Sequence, residues 1–180
     1  MNRREEKFAL ALLGAVLVDY VFERSRRVST PIVSDTWPST DAMRASSARA
    51  SLAYRGGGPW DAANCVEALT DHAAELSRLV RSTFPWVRTI QGIHCSTLHT
   101  AHGDELSLHA VGRALDVFAP STLDGNALAN WLVEHADDLG VQLVIWNRKV
   151  WQGSLAAARR FAEYTGTNAH TDHVHVEVTT

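Results

Sequence analysis

The sequence predicts an α+β fold, a mainly antiparallel sheet with flanking helices, and three observations predict it. The segment His173–Val178 alternates without a break: Val174, Val176 and Val178 face a core, while His173, His175 and Glu177 face the other side. Val141–Trp146, the turn Asn147-Arg148 and Lys149–Gln152 read as a hairpin. Two helical periodicities are interspersed with these strands, but not in the regular β-α-β rhythm of a parallel sheet.

In chain order, residues 1–27 hold an apolar run, 8–18, behind a charged start that includes Arg3, Arg4, Glu5 and Glu6. The run is too short to cross a bilayer comfortably as a helix. Its length fits the apolar core of a secretory signal or anchor; the alternative is a helix packed on the domain or a partner. Residues 28–58 are rich in Ser, Thr, Ala and Arg, end in Gly56-Gly57-Gly58, and read as a flexible linker. The domain is then expected over 59–180.

Asp61 is expected to cap a first helix whose apolar positions are Val66, Leu69, Ala73, Leu76 and Val80, ending before Pro85. His72 beside that face has no neighbouring ligand types and reads as a packed or exposed side chain. A short strand over 87–93 leads to a polar loop, 94–105, with His99, His102, Asp104 and Glu105, expected to be solvated and to touch substrate. Ala114–Phe118 reads as a strand ended by Pro120 and Asp124-Gly125. A second helix follows over 126–139 with its stop at Gly140, and a short helix is expected within 155–164.

The chemistry concentrates in Ser107-Leu-His-Ala-Val-Gly-Arg-Ala-Leu-Asp116 and His170-Thr-Asp-His-Val-His175. His109 and Asp116 supply two metal ligands from one segment, and the C-terminal segment supplies a third. Gly112 lets the loop fold back between the first two. Imidazole and carboxylate suit Zn²⁺, and three protein ligands leave a tetrahedral position open, the arrangement of a catalytic site. Same-face neighbours on a strand lie about 6.5–7 Å apart. One histidine of the His-x-His pair can therefore hold the metal while the other reaches water or substrate.

The net charge of −3 gives no reason to expect a nucleic-acid partner. Cys65 and Cys95 lack thiolate-site spacing. They form one disulfide if the protein is exported, and otherwise two buried thiols.

On these motifs, with Leu139-Gly-Val-Gln-Leu-Val-Ile-Trp146 and Trp151, residues 60–180 resemble the zinc peptidases of the D-alanyl-D-alanine carboxypeptidase and murein endopeptidase superfamily. The signalling domain of hedgehog proteins shares that fold, and the extra matches resemble a branch common in actinobacteria and their phages. The resemblance implies one Zn²⁺ on His109, Asp116 and His175. Asp172 stands where the carboxypeptidases have a catalytic glutamate but is one methylene shorter, so the base is either Asp172 or His173. His170 and His173 match histidines that the murein endopeptidases place beside the metal.

Where many carboxypeptidases carry Gly-Tyr-Arg-Ser, this chain has Gly92-Ile93-His94-Cys95. Without that arginine, endopeptidase activity is favoured over recognition of a free terminal carboxylate. Arg113 or His170 is expected to stabilise the oxyanion. Ser107, placed on the substrate side, reads as a loop-fixing hydroxyl, since no Ser-His-Asp arrangement is evident. The implied substrate is the peptide of bacterial peptidoglycan, met by a monomer in the cell envelope or after secretion; Trp146 and Trp151 would line a groove or sit in the core. The alternative is a non-catalytic zinc domain that binds a peptide or protein in the same cleft.

Overall fold

The computed structural model describes residues 31 and 33–179, within the unit Pro31–Thr180. The apolar run 8–18, read as a signal or anchor, lies outside the described residues. Among those described, no helix is long and apolar enough to cross a membrane.

The fold is α+β, built on a six-stranded antiparallel sheet. Its strands are β1 (Ile90–Gln91), β4 (Ala114–Phe118), β8 (His173–Val178), β5 (Val141–Trp146), β6 (Lys149–Gln152) and β7 (Phe161–Glu163), in that spatial order. A separate hairpin pairs β2 (Thr97–Thr100) with β3 (Gly103–Leu106). The central β8 has neighbours on both edges, so its backbone is satisfied twice over and all six of its residues are buried.

The register sorts the side chains. Leu115 opposes Val176, Val117 opposes Val174, and Val144 opposes Val176, which makes one face wholly apolar. Helix α2 (Asp71–Thr83) packs against β4, and α3 (Thr122–Glu134) against β5 and β8. Val174 and Val176 are fully buried, each worth about 1.5–3 kcal/mol of transfer free energy. The other face pairs Asp116 with His175 and Phe118 with His173. One sheet face therefore anchors the fold, and the opposite face collects the histidines.

Several local expectations are corrected. Helix α2 starts after Thr70, whose hydroxyl accepts from the Ala73 amide; Asp61 caps only a 3-10 turn, Ala62–Asn64. Between them the chain is extended, because Cys65 is bonded to Cys95 and the amides of Val66 and Thr70 donate to Ala110 and Gly112. These tertiary ties override the apolar spacing, and Val66 is left 40% exposed. His72 is packed, donating to the Leu139 carbonyl at 2.8 Å.

The loop 94–105 contains the β2–β3 hairpin, and only Ile90–Gln91 of the strand expected over 87–93 pairs. Helix α3 starts at Thr122 because Ser121 caps it, so Asp124-Gly125 lies inside the helix. A Cβ at Gly125 would collide with the Trp146 ring. A short helix, α4 (Ala136–Leu139), follows and ends at Gly140 with φ +59°. In place of the helix expected within 155–164 there is a 3-10 turn, Ala157–Arg159, and then β7 on β6. The buried Arg160 sets this shape by donating to the carbonyls of Leu155, Ser46 and Arg49. Trp146 and Trp151, each 1% exposed, belong to the core and line no groove.

The largest correction concerns 28–58. Its described part is no flexible linker but a strap across the domain, with helix α1 (Thr40–Ser47) packed on α3 and Trp37 buried edge-on to Phe161. Two buried asparagines of α3 receive it. Asn130 accepts from the Ser39 amide at 2.8 Å and donates to the Thr36 carbonyl at 2.9 Å, and Asn126 donates to the Asp35 carbonyl at 2.9 Å. An Asn130→Ala chain is expected to lose about 1–3 kcal/mol, since the buried Ser39 amide would be left unpaired, while the Thr36 carbonyl keeps only the Ser34 hydroxyl. Urea denaturation reads this directly, and an unmoved midpoint would mean that the strap adds nothing to stability.

Candidate metal centre

The loop that carries His109 is folded by its own backbone: the Ala110 amide donates to Ser107, the Gly112 amide to His109, and the Arg113 amide to Leu108. Gly112 sits at φ +71°, and a Cβ there would lie 2.5 Å from the Ala68 carbonyl oxygen, so no larger residue fits. The loop delivers His109 to the histidine-bearing face beside Asp116 and His175. His175 Nδ1 lies 2.9 Å from Asp116 Oδ1 and 3.2 Å from His109 Nε2, and His109 Nε2 lies 3.3 Å from Asp116 Oδ1. The ligand atoms of all three lie within 4.8 Å of one another, so the group can hold a metal ion.

The hydrogen bonds around the cluster test whether its donor atoms suit a cation. His109 Nδ1 must donate to the Gly92 carbonyl at 2.9 Å, which leaves Nε2 with a lone pair towards the cluster. His175 Nε2 donates to Glu177 Oε1 at 3.3 Å, which leaves Nδ1 facing Asp116 and His109. Two lone pairs and a carboxylate oxygen thus converge in a buried space. Neutral neighbours would leave them in mutual repulsion, and a cation resolves it.

A proton can play the part of that cation: burial alone would raise the Asp116 carboxyl, but hydrogen bonds from His109 and His175, donated when those rings are protonated, overcome it and hold the group well below the usual carboxylate range. Burial would lower the His175 imidazole, yet Asp116 and Glu177 lift it to about 9. Positive charge is favoured at this point of the sheet.

Of the other expected residues, His173 is buried at the rim, its Nε2 3.7 Å from Asp116 Oδ1. Its Nδ1 donates to Asp172 Oδ1 at 2.7 Å, while the Asp172 side chain is 70% exposed. Asp172 thus braces His173 from the solvent side. His170 is buried at φ +48° and donates from Nδ1 to the Asn168 carbonyl; its ring lies 4.9 Å from that of His173 and 5.6 Å from that of His175. Burial, with His175 next, lowers its pKa to about 4, so it is neutral at physiological pH.

Arg113 requires a correction. Its guanidinium donates to the carbonyls of Val178, Gly56 and Arg55, so it fastens the strap to the end of β8 and is not offered to a substrate oxyanion. The Ser107 hydroxyl is held by Ser96 Oγ at 2.6 Å, the loop-fixing role expected of it, and it also borders the cavity.

That cavity, about 140 Å³, opens beside His109, His170 and His175 and is walled by Tyr54, Leu98 and Tyr164. The polar stretch expected to touch substrate does reach it, through Leu98 and Glu105 of the hairpin. His99 instead pairs with Asp104 at the exposed surface.

Three neighbours of the cluster had no assigned role in the sequence reading. His94 stacks on His109 at 4.2 Å, Glu177 holds His175, and Tyr54 donates to Glu177 Oε2 at 2.9 Å. Glu177 was visible as the third same-face residue of the last strand; Tyr54, in the presumed linker, gave no signal.

Residues 65–175, more than half of the chain, match the model of the family described as VldE, C-terminal domain. No curated protein and no solved structure matches the chain.

Proposed function

The chain belongs to the VldE C-terminal domain family, and we propose that it is a zinc metallopeptidase that hydrolyses peptide bonds of bacterial cell-wall peptidoglycan, as an endopeptidase rather than a carboxypeptidase. The observation that carries the reading is the convergence of His109 Nε2, Asp116 Oδ1 and His175 Nδ1 next to a second, braced imidazole at the rim. A donor set of two imidazoles and one carboxylate suits Zn²⁺. Zinc held there would supply Lewis acidity, acidifying water to a pKa of about 7 and polarising the scissile carbonyl.

The remaining work falls to the chain's own residues. His173 is the general base: Asp172 takes its Nδ1–H, so Nε2 faces the cluster with a lone pair that removes a proton from water and later returns one to the leaving amine. The exposed Asp172 orients that ring in place of acting as the base itself. His170, neutral and bordering the cavity, has its Nδ1–H taken by the Asn168 carbonyl, so its bare Nε2 offers a substrate an acceptor and not an oxyanion donor.

The endopeptidase preference is supported by the cavity wall, which among the described residues carries Glu105 and Glu177 but no lysine or arginine to take a terminal carboxylate. The Cys65–Cys95 disulfide supports a place outside the reducing cytosol, in the cell envelope or after secretion. The substrate class rests on the likeness of both histidine motifs to the murein endopeptidases.

The test is the metal content of the purified chain after dialysis, wild type beside His175→Ala, followed by digestion of isolated peptidoglycan. About one zinc per wild-type chain, lost in the variant, together with release of soluble peptide fragments, is the expected result. A zinc-loaded chain that digests no cell wall would be a binding domain. A chain that takes no zinc would end the mechanism altogether.

A further inference from the structure

The strap reaches the candidate centre through Tyr54. Tyr54 donates to Glu177 Oε2 at 2.9 Å, and Glu177 Oε1 accepts from His175 Nε2 at 3.3 Å. The residues after Tyr54 are pinned from two sides. Gln142 accepts from the Arg55 amide and donates to its carbonyl, while Arg113 donates to the carbonyls of Arg55 and Gly56. Gly57 then passes so close to Leu106 that a Cβ would collide with its carbonyl. Glu177 is 8% exposed, so its carboxylate depends on the protein for its partners. Both of its oxygens are engaged, one by the strap and one by the ligand histidine.

We propose that Glu177 and Tyr54 are positioning residues for the metal centre. Glu177 holds the proton of His175 on Nε2, so that Nδ1 is the nitrogen presented beside Asp116 and His109. Tyr54 holds Glu177 in the rotamer that does this. The strap is thereby part of the centre, although it contributes no ligand. The inference rests on the reading of His109, Asp116 and His175 as a metal site and goes beyond it by assigning what selects the nitrogen.

The experiment uses the full chain and its Glu177→Ala, Glu177→Gln and Tyr54→Phe variants. Zinc affinity is measured by competition with a chromophoric chelator, and folding of the metal-free proteins is checked by circular dichroism. Glu177→Ala is expected to bind zinc about 10–100-fold more weakly, the usual cost of losing an outer hydrogen-bond partner of a ligand imidazole. Glu177→Gln keeps an acceptor oxygen and should recover most of that loss. Tyr54→Phe should lie between wild type and Glu177→Ala, with its metal-free spectrum unchanged.

A wild-type chain that binds zinc, with Glu177→Ala and Tyr54→Phe both within about twofold of it, would overturn the inference alone. So would a Glu177→Gln chain as weak as Glu177→Ala. A wild-type chain that binds no zinc would overturn the metal reading and this inference with it.

Discussion

Alanine in place of His173 is expected to slow peptidoglycan hydrolysis about 10²–10⁴-fold, the range for a lost general base, while the chain keeps its zinc. The two effects separate because His173 stands beside the ligand cluster and not in it. Its Nε2 is 3.7 Å from Asp116 Oδ1, whereas the three ligand atoms lie 2.9–3.3 Å from one another. Asp172→Asn should cost less, because asparagine still offers an oxygen to the His173 Nδ1–H and, at a side chain 70% exposed, water takes up much of the lost charge stabilisation. Fragment release from isolated cell wall and elemental zinc are measured on the same preparations. Loss of zinc along with activity in His173→Ala would make His173 a ligand. Unchanged hydrolysis would send the base elsewhere, and His170 would be next to test.

The parts of this molecule that could be read from the sequence are those where one local rule decides. The alternation in His173–Val178 is such a case: the strand is central, so an apolar face meets the helices and a polar face meets the site. The hairpin from Val141 to Gln152 is another, with Asn147 and Arg148 both at positive φ as its tight turn requires. His109 and Asp116 can be named because the loop spacing is short-range geometry; strand parity puts His173 and His175 on one face alike, and only the family resemblance picks His175 as the third ligand.

What escaped depends on long-range partners. Helix α2 begins late because Val66 and Thr70 are bound to the loop of His109, a tie that periodicity within 61–83 does not encode. The strap reads as a linker because its anchors, Asn126 and Asn130, lie about ninety residues further on, on a helix whose buried asparagines look like misplaced polar residues until their backbone partners are known. Arg113 sits inside the most informative motif, yet its side chain leaves the site and works on the strap.

Removing the Cys65–Cys95 bond, as a Cys65→Ser/Cys95→Ser double variant, is expected to cost about 3–4 kcal/mol of stability on the chain-entropy account of a loop of this length. The two cysteines are 30 residues apart, and the ring they close contains the whole of α2. The same bond joins two segments that each touch the loop of His109. Cys95 follows His94, which stacks on His109, and Gly92 just before it accepts the His109 Nδ1–H. On the other side, the Val66 amide beside Cys65 donates to Ala110, the residue after His109. Opening the ring therefore loosens both segments that hold the loop histidine, and zinc affinity should fall together with the urea midpoint. A lower midpoint with unchanged affinity would show that Gly112 and the loop's own hydrogen bonds suffice to place His109. An unchanged midpoint would mean that the paired segments are held by packing alone, and the argument from the disulfide to an oxidising compartment would lose its structural support.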